Sequence, residues 1–309
     1  MSDEKKAIKI WSQKLDATQI ERLRELVLSF GDAEIYDVAY SIFAFKLRER
    51  KVNVCAYTSG KVVVNGAGTQ DFVINFIEPQ ILGRAEIGYE RVNHPEWFEL
   101  HAGLDESGKG DLFGPLCTAC VIADGNAVQT WLDAGVRDSK KIADSNIFKL
   151  EAMIRATPGA IVKVCKPDSM ERYNELYAAY GSMNPMLAAC HFKSLKSAFD
   201  LAGTKPRWGL LDQFSTEPFV QTIIAQKKLP IDLKMRTHAE SDPVVAAASI
   251  CARAAYARAI QTLENECGFA IPKGCGNDVV AAGTQIRQKL GNAALPHYCK
   301  MHFKTIKQL

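Results

Sequence analysis

The chain reads as an α/β domain preceded by a smaller α+β unit, and three observations carry that reading. Early on, apolar positions Ile20, Leu23, Leu26, Val27 and Phe30 recur at three- and four-residue spacing and give way to alternating, strand-like sequence, the order of one amphipathic helix and several antiparallel strands. Beyond residue 100, short apolar runs interleave with helical segments, the pattern of an α/β layer. In that second part an acid stands at the end of two apolar runs, Asp105 after Gly103-Leu104 and Asp212 after Leu210-Leu211, and α/β sheets carry their sites at strand ends.

Element by element, residues 16–30 form the first helix, with Asp16 or Thr18 as cap and Gly31 as stop. The run 42–47 alternates. The runs 52–57 and 61–65 face each other across Thr58-Ser59-Gly60, a hairpin signal. Gly66-Ala67-Gly68-Thr69 opens a second helix, 70–77, which Pro79 should stop. Residues 1–80 therefore make a compact α+β domain. Pro, Gly and mixed charge without a period make 81–98 a linker, and 99–309 the second domain. There a strand reaches Gly103-Leu104 and delivers Asp105, with 116–123 as its apolar neighbour. Helices follow at 146–156, 170–180 and 184–201, then the strand 208–211, then a long alanine-rich helix over about 243–266.

Composition narrows the class. The chain has 309 residues, 47% hydrophobic and 24% charged, ordinary for a globular protein with a sizeable core. No apolar run approaches the roughly 20 residues needed to cross a bilayer, and the polar start, Met1 to Lys9, has no signal-peptide core. Nine irregularly spaced cysteines do not form a disulfide framework and fit a reducing cytoplasm. Cys117 and Cys120 have CxxC spacing but lie in an apolar stretch with no second pair, so they are expected to be buried core thiols. A net charge of +3 permits a polyanionic partner without demanding one. The bases cluster locally: Lys46, Arg48, Arg50, Lys51 and Lys61, and later Lys140, Lys141, Lys193, Lys196, Lys205 and Arg207. No membrane or obligate protein partner is implied, and nothing demands more than a monomer.

The chemistry concentrates in Asp105-Glu106-Ser107-Gly108-Lys109-Gly110. Adjacent carboxylates are ligands that Mg²⁺ or Mn²⁺ accepts, and a glycine-bracketed lysine allows backbone and charge to approach a phosphate. A solvated turn has the same composition. Asp212 and Glu240, the latter just before the alanine-rich helix, turn the balance, because two ions about 3.5–4 Å apart need several carboxylates from different elements. Asp242 competes with Glu240, but an Asp before Pro at a helix start is the pattern of an N-cap. None of the six histidines has a nucleophile-elbow context. His302 could meet a phosphate or simply pack at the C-terminus.

Gly103-Leu104-Asp105-Glu106-Ser107-Gly108-Lys109-Gly110, Gly135-Val136-Arg137-Asp138-Ser139-Lys140-Lys141, Asp212 after its strand, and Ala239-Glu240-Ser241 leading into 244–253 closely resemble the type 2 ribonucleases H. Within that group, 59–66 through 78–83, Tyr173-Asn174-Glu175-Leu176-Tyr177 and Lys300-Met301-His302-Phe303 resemble ribonuclease HIII. The resemblance implies a ribonuclease H-like catalytic domain, with a mixed central sheet flanked by helices, behind a TATA-binding-protein-like substrate-binding domain. It implies an endoribonuclease cutting the RNA strand of RNA/DNA hybrids with two Mg²⁺ or Mn²⁺ ions, leaving 3′-hydroxyl and 5′-phosphate ends. It makes Asp105, Glu106, Asp212 and Glu240 the catalytic, metal-binding acids, the fourth being Asp in most ribonucleases HII. Gly108, Lys109 and Gly110 would meet ribose 2′-hydroxyls, the groups that distinguish RNA from DNA, and Ser107 beside them would contact substrate. Ser139, Lys140 and Asn174 would also contact substrate, as would Lys46 and Lys61 beside exposed Phe43, Phe45 or Tyr57. In Lys273-Gly274-Cys275-Gly276, Cys275 stands where ribonuclease HII carries a junction-reading tyrosine. The rivals are a ribonuclease HII that incises at single ribonucleotides and a hybrid-binding protein whose nuclease site has decayed. Four intact acids oppose the last.

Overall fold

A computed structural model of the chain describes residues 8–136 and 144–309. The chain divides into two compact units, Met1–Pro95 and Glu96–Leu309.

In the first unit, Asp16 caps α1 (Ala17–Ser29) by a reciprocal box with Gln19, which satisfies amide groups the helix leaves open. Five strands, β1 (Ile10–Lys14), β2 (Ala33–Ile35), β3 (Ser41–Leu47), β4 (Val52–Tyr57) and β5 (Lys61–Asn65), form an antiparallel sheet in the order β1-β5-β4-β3-β2. The expected hairpin is β4–β5. β1 has no clean alternation in sequence, yet it pairs with β5 from Ile10↔Asn65 to Lys14↔Lys61. Phe43, Phe45, Leu47, Val54, Val62 and Val64 turn to one face and bury with Ile20, Leu23 and Val27 of α1.

Pro79 does not stop the second helix. α2 (Thr69–Phe72) runs on as a π-helix, Val73–Leu82, with Pro79 inside it. A widened ladder is one way for a helix to absorb a residue that cannot donate a backbone bond. Gly83, at φ 69°, ends it. Ile81, placed by sequence at the start of a linker, is buried in this unit's core. A short helix α3 (Glu90–Asn93) and a 3₁₀ turn, Pro95–Phe98, occupy the rest of the linker stretch.

The second unit is a mixed sheet between helical layers, as a ribonuclease H-like fold requires. β6 (His101–Ser107), β7 (Cys117–Ala123), β8 (Ile161–Cys165), β9 (Trp208–Asp212) and β10 (Asp232–Arg236) lie in the order β10-β9-β6-β7-β8. β9 runs parallel to β6 and β10, while β7 is antiparallel to β6 and β8. Alternation sorts β7: Ala119, Val121 and Ala123 pack on α4 (Gly125–Asp133), α5 (Asp144–Ala156) and α9 (Pro243–Cys267). Cys120 and Ile122 pack on α7 (Met183–Leu201) and α8 (Phe219–Gln226). α6 (Met170–Tyr180), α10 (Asn277–Leu290) and α11 (Leu295–Tyr298) complete the unit.

Among the described helices α9 alone is long and apolar enough, by length and composition, to cross a membrane, contrary to the sequence expectation, but 72% of that apolar window is buried within the protein. It is a core helix. Gly103 explains its close approach, since a Cβ there would lie 2.4 Å from the Val244 carbonyl carbon. Cys117 and Cys120 are wholly buried, as expected, and burial pushes the Cys117 thiol up to about 12.

Candidate active site

The register of two parallel strands assembles the centre. Ala102, Gly103 and Leu104 pair with Gly209, Leu210 and Leu211, so the next residues, Asp105 and Asp212, stand at the same level at neighbouring strand ends. Leu104 and Leu211 are fully buried. Alternation then turns Asp105 to the face occupied by α9, where the Ser249 hydroxyl hydrogen-bonds it. Asp105 is 8% exposed and also accepts from the Glu106 amide at 2.7 Å. Burial, then the Glu106 charge, raise its pKa to about 7 against those two hydrogen bonds, with Asp212 adding to the rise. A buried carboxyl that feels two further carboxylates is a site short of positive charge.

Each of the other acids also has a fixed contact. Asp212 Oδ1 accepts from the Ala239 amide at 3.0 Å, which ties the end of β9 to the 3₁₀ turn Ala239–Ser241 that carries Glu240. His238 enters that turn at φ 58°, a backbone region that non-glycine residues adopt only under constraint. Its Nδ1 lies 3.7 Å from Glu240 Oε1. Glu106 Oε2 meets His191 Nε2 of α7 at 3.1 Å, and Glu106 Oε1 is 4.0 Å from Lys109 Nζ. Asp242 is the N-cap that the sequence suggests: it accepts from Val244 and Val245 and faces His101 Nε2 at 3.1 Å. Among the described residues no group of three His, Cys, Asp or Glu side chains stands close enough to hold a metal as arranged.

The Gly108–Gly110 loop is braced from below. Gly108 has φ 85°, and a Cβ there would meet the Pro115 carbonyl at 2.4 Å and the Tyr256 ring at 2.7 Å, so the fold itself demands glycine. Gly110 is different, because a Cβ there would meet nothing within 4 Å. Lys109 donates to the Phe214 carbonyl at 3.1 Å and lies over the Phe214 ring. Behind the loop, the buried ammonium of Lys300 donates to the carbonyls of Asp111, Phe113 and Gly114. Burial pushes Lys300 down to about 7. The 273–276 segment docks here too: Leu112 donates to the Gly274 carbonyl, and Gly274 to Asp111 Oδ1. That leaves Cys275, exposed, next to the glycine-lysine-glycine loop.

Several expectations need correction. Asn174 is occupied with the C-terminus, donating to the Pro296 and Cys299 carbonyls and accepting from the Met301 amide. Its hydrogen-bonding groups therefore brace the C-terminal segment. His302 stacks on Tyr177 at 3.6 Å between centroids. That is the packing the sequence offered as the alternative to a phosphate contact, and burial, then the Lys300 charge, lower its pKa to about 4. Phe43 and Phe45 are core residues, because the β3 positions that alternate with Lys46 point inward. Lys46 and Lys61 are exposed, and parity with those inward residues puts both on the uncovered sheet face. Ser139 and Lys140 lie outside the described residues. Sequence reasoning missed Ser249, His191, Phe214 and Asp111. Ser249 and His191 sit inside apolar helical runs, and Phe214 and Asp111 in loops, with no spacing to single them out.

The family profile described as Ribonuclease HII matches residues 102–306. Ribonuclease HIII of Chlamydia pneumoniae is 37% identical over 270 residues, covering 86% of this chain and 87% of that protein. The chain belongs to the ribonuclease HIII family. Ribonuclease HIII of Protochlamydia amoebophila is 35% identical over 263 residues, 85% of each chain. Among solved structures, Bst-RNase HIII in complex with Mn²⁺ is 26% identical and superposes with a TM-score of 0.64 over 97% of both chains. Aquifex aeolicus RNase H3, at 22% identity and a TM-score of 0.55, shares the fold over 95% of this chain and 100% of its own. Membership makes the chain a metal-dependent hydrolase of the ribonuclease H type.

Proposed function

We propose that the chain is an endoribonuclease that hydrolyses the RNA strand of RNA/DNA hybrids at Asp105, Glu106, Asp212 and Glu240, leaving 3′-hydroxyl and 5′-phosphate ends. The observation that carries this is the parallel register that sets Asp105 beside Asp212 at adjacent strand ends, in a chain that belongs to the ribonuclease HIII family. The donor set suits a hard divalent cation in kind, being all carboxylate oxygen, and burial with Glu106 and Asp212 close by leaves Asp105 in want of positive charge. The acids stand looser than a closed cluster, so on this reading a cation with its substrate phosphate would draw them together. Two bound Mg²⁺ or Mn²⁺ ions would lower the pKa of an attacking water and stabilise the leaving oxygen.

The chain's own residues do the rest. Gly108 holds the loop in a left-handed turn, and Gly110, where the protein itself leaves room for a side chain, lets backbone come close to a ribose 2′-hydroxyl. Lys109, held by Phe214, keeps a cation beside Glu106. Lys46 and Lys61, on the open face of the N-terminal sheet, which on this reading is a TATA-binding-protein-like substrate-binding domain, would meet phosphates, a contact that positions without reading sequence. Cys275, exposed beside the loop, has no ring to stack on a nucleotide, so a run of ribonucleotides is favoured over a single one.

One cleavage assay tests this: an all-RNA/DNA hybrid against a duplex with one ribonucleotide, in Mg²⁺ and in Mn²⁺. Strong cutting of the hybrid with little at the lone ribonucleotide is expected. Preferential incision at the lone ribonucleotide would favour a ribonuclease HII-like activity, and metal-independent binding without cleavage would favour a decayed nuclease. Removing residues 1–95 should weaken substrate binding more than it slows turnover at saturating substrate.

A further inference from the structure

Glu106 has three rotatable side-chain bonds and stands at a strand end that is only partly covered, so something must set the direction of its carboxylate. Asp105 is anchored by Ser249 and a backbone amide, and Asp212 by Ala239. For Glu106 the anchor is His191. Its ring is fully buried on α7, and its Nε2 lies 3.1 Å from Glu106 Oε2. The ring stacks on Phe214, with centroids 5.4 Å apart and planes 16° from parallel. Phe214 also holds Lys109 through its carbonyl, so one aromatic residue fixes both groups that face the two oxygens of Glu106.

The other ring nitrogen, Nδ1, is buried and has no hydrogen-bond partner among the described residues. A proton on Nδ1 would be left without an acceptor, which costs free energy in a buried place. The ring proton therefore belongs on Nε2, where it is donated to the carboxylate. That donation takes one lone pair of Oε2 and leaves the rest of the carboxylate to face outward. A side chain as long as Glu loses about 1.5–2 kcal/mol of rotamer freedom when fixed. A buried donor that fixes it before the ligand arrives removes that penalty from binding.

We infer that His191 is a positioning residue that presets the Glu106 carboxylate for a divalent cation. The inference rests on the proposed role of Glu106 as a metal ligand and adds a residue on α7 to the site. His191→Phe keeps a flat ring against Phe214 and deletes the donor, while His191→Gln returns an N–H at similar reach.

Calorimetric titration of Mn²⁺ into the full chain without nucleic acid reads the effect directly. His191→Phe should weaken Mn²⁺ binding by about 10- to 100-fold, the usual range for groups that orient metal ligands, and His191→Gln should stay within about threefold of wild type. The Mg²⁺ concentration for half-maximal cleavage should rise in His191→Phe more than kcat falls at saturating Mg²⁺. Wild-type Mn²⁺ affinity in His191→Phe overturns the proposal. So does equal loss in the Gln variant, because that would assign the effect to packing.

Should His191→Phe fail to fold, nitrogen NMR of the wild-type chain still decides. The ring in contact with Phe214 should show a proton on Nε2, with a shift that moves on adding Mg²⁺. A proton on Nδ1, or a signal indifferent to Mg²⁺, overturns the proposal. A wild-type chain that binds no Mn²⁺ overturns the metal-ligand reading of Glu106 itself, a different failure from a metal bound equally well with and without His191.

Discussion

At the end of β6 a carboxylate is buried, feels two further carboxylates and accepts from a serine hydroxyl and a backbone amide. On the open face of the N-terminal sheet, Lys46 and Lys61 stand exposed on separate strands. Buried charges in a low-dielectric setting depend strongly on one another and on geometry, whereas exposed charges act through a screened field and add nearly independently. The two regions should therefore answer substitution differently. The first should fail in single steps and the second should fade by degrees.

The largest effect expected is at Asp212. Asp212→Asn keeps the Oδ1 that accepts from Ala239, so the Ala239–Ser241 turn should survive while the charge is lost. Cleavage should fall by on the order of 10³-fold or more, since metal-assisted charge stabilisation contributes several kcal/mol, and hybrid binding in a gel-shift assay should persist. Wild-type rates would remove Asp212 from the site. Next comes the contrast inside the glycine loop. Gly108→Ala should lower the unfolding free energy by about 2–3 kcal/mol in urea, because the Cβ meets the Pro115 carbonyl and the Tyr256 ring at a left-handed φ. Gly110→Ala should leave the urea midpoint unchanged while raising KM for a hybrid. Equal stability losses at both positions would show that Gly110 is also a demand of the fold.

Lys300 offers a pH signature. Its folded pKa is lowered to about 7 from the ordinary 10.5, so between those values the unfolded chain binds more protons than the folded one. Stability from this group should accordingly rise as pH climbs from about 7 toward 10. The difference in urea midpoint between wild type and Lys300→Met should move in the wild type's favour over that range. A flat difference would mean that Lys300 keeps its proton in the fold. The smallest effects belong to the open sheet face. Lys46→Ala and Lys61→Ala should each weaken hybrid binding by roughly two- to threefold, add when combined, and each flatten the salt dependence by about one counterion. A loss in either single variant as large as that of Asp212→Asn would break the contrast between the regions.

Much of the fold was legible where one face of an element is buried. The hairpin of β4 and β5, the helices α6 and α7, and α9 with its Asp242 cap follow from periodicity and capping chemistry that a single stretch of chain contains. β1, β8 and β10 were not legible. β8 and β10 carry lysines in short runs, β1 lacks alternation, and what makes each a strand is the neighbour it pairs with. Pro79 misled because a helix interior normally excludes proline, and a π-helical ladder relaxes that rule.

Of the candidate site, the acids at the ends of apolar runs could be read from the sequence, because a charge just beyond Leu104 or Leu211 is anomalous unless it has a task. The distinction between Glu240 and Asp242 also lay in local pattern. The roles of Asn174, Phe43 and Phe45 did not, since each depends on what faces it across the fold. By itself the sequence determined the chain's family, its two-part composition and the kinds of atom available for catalysis, because these are properties of residues and short spacings. Only the tertiary structure decided which of those atoms meet. Asp105 is paired with Ser249 across 144 positions, Glu106 with His191 across 85, and Asp111, just after the glycine-lysine-glycine loop, with Lys300 at the far end of the chain. The register of strands and the packing of helices, neither of which any local stretch encodes, set those distances.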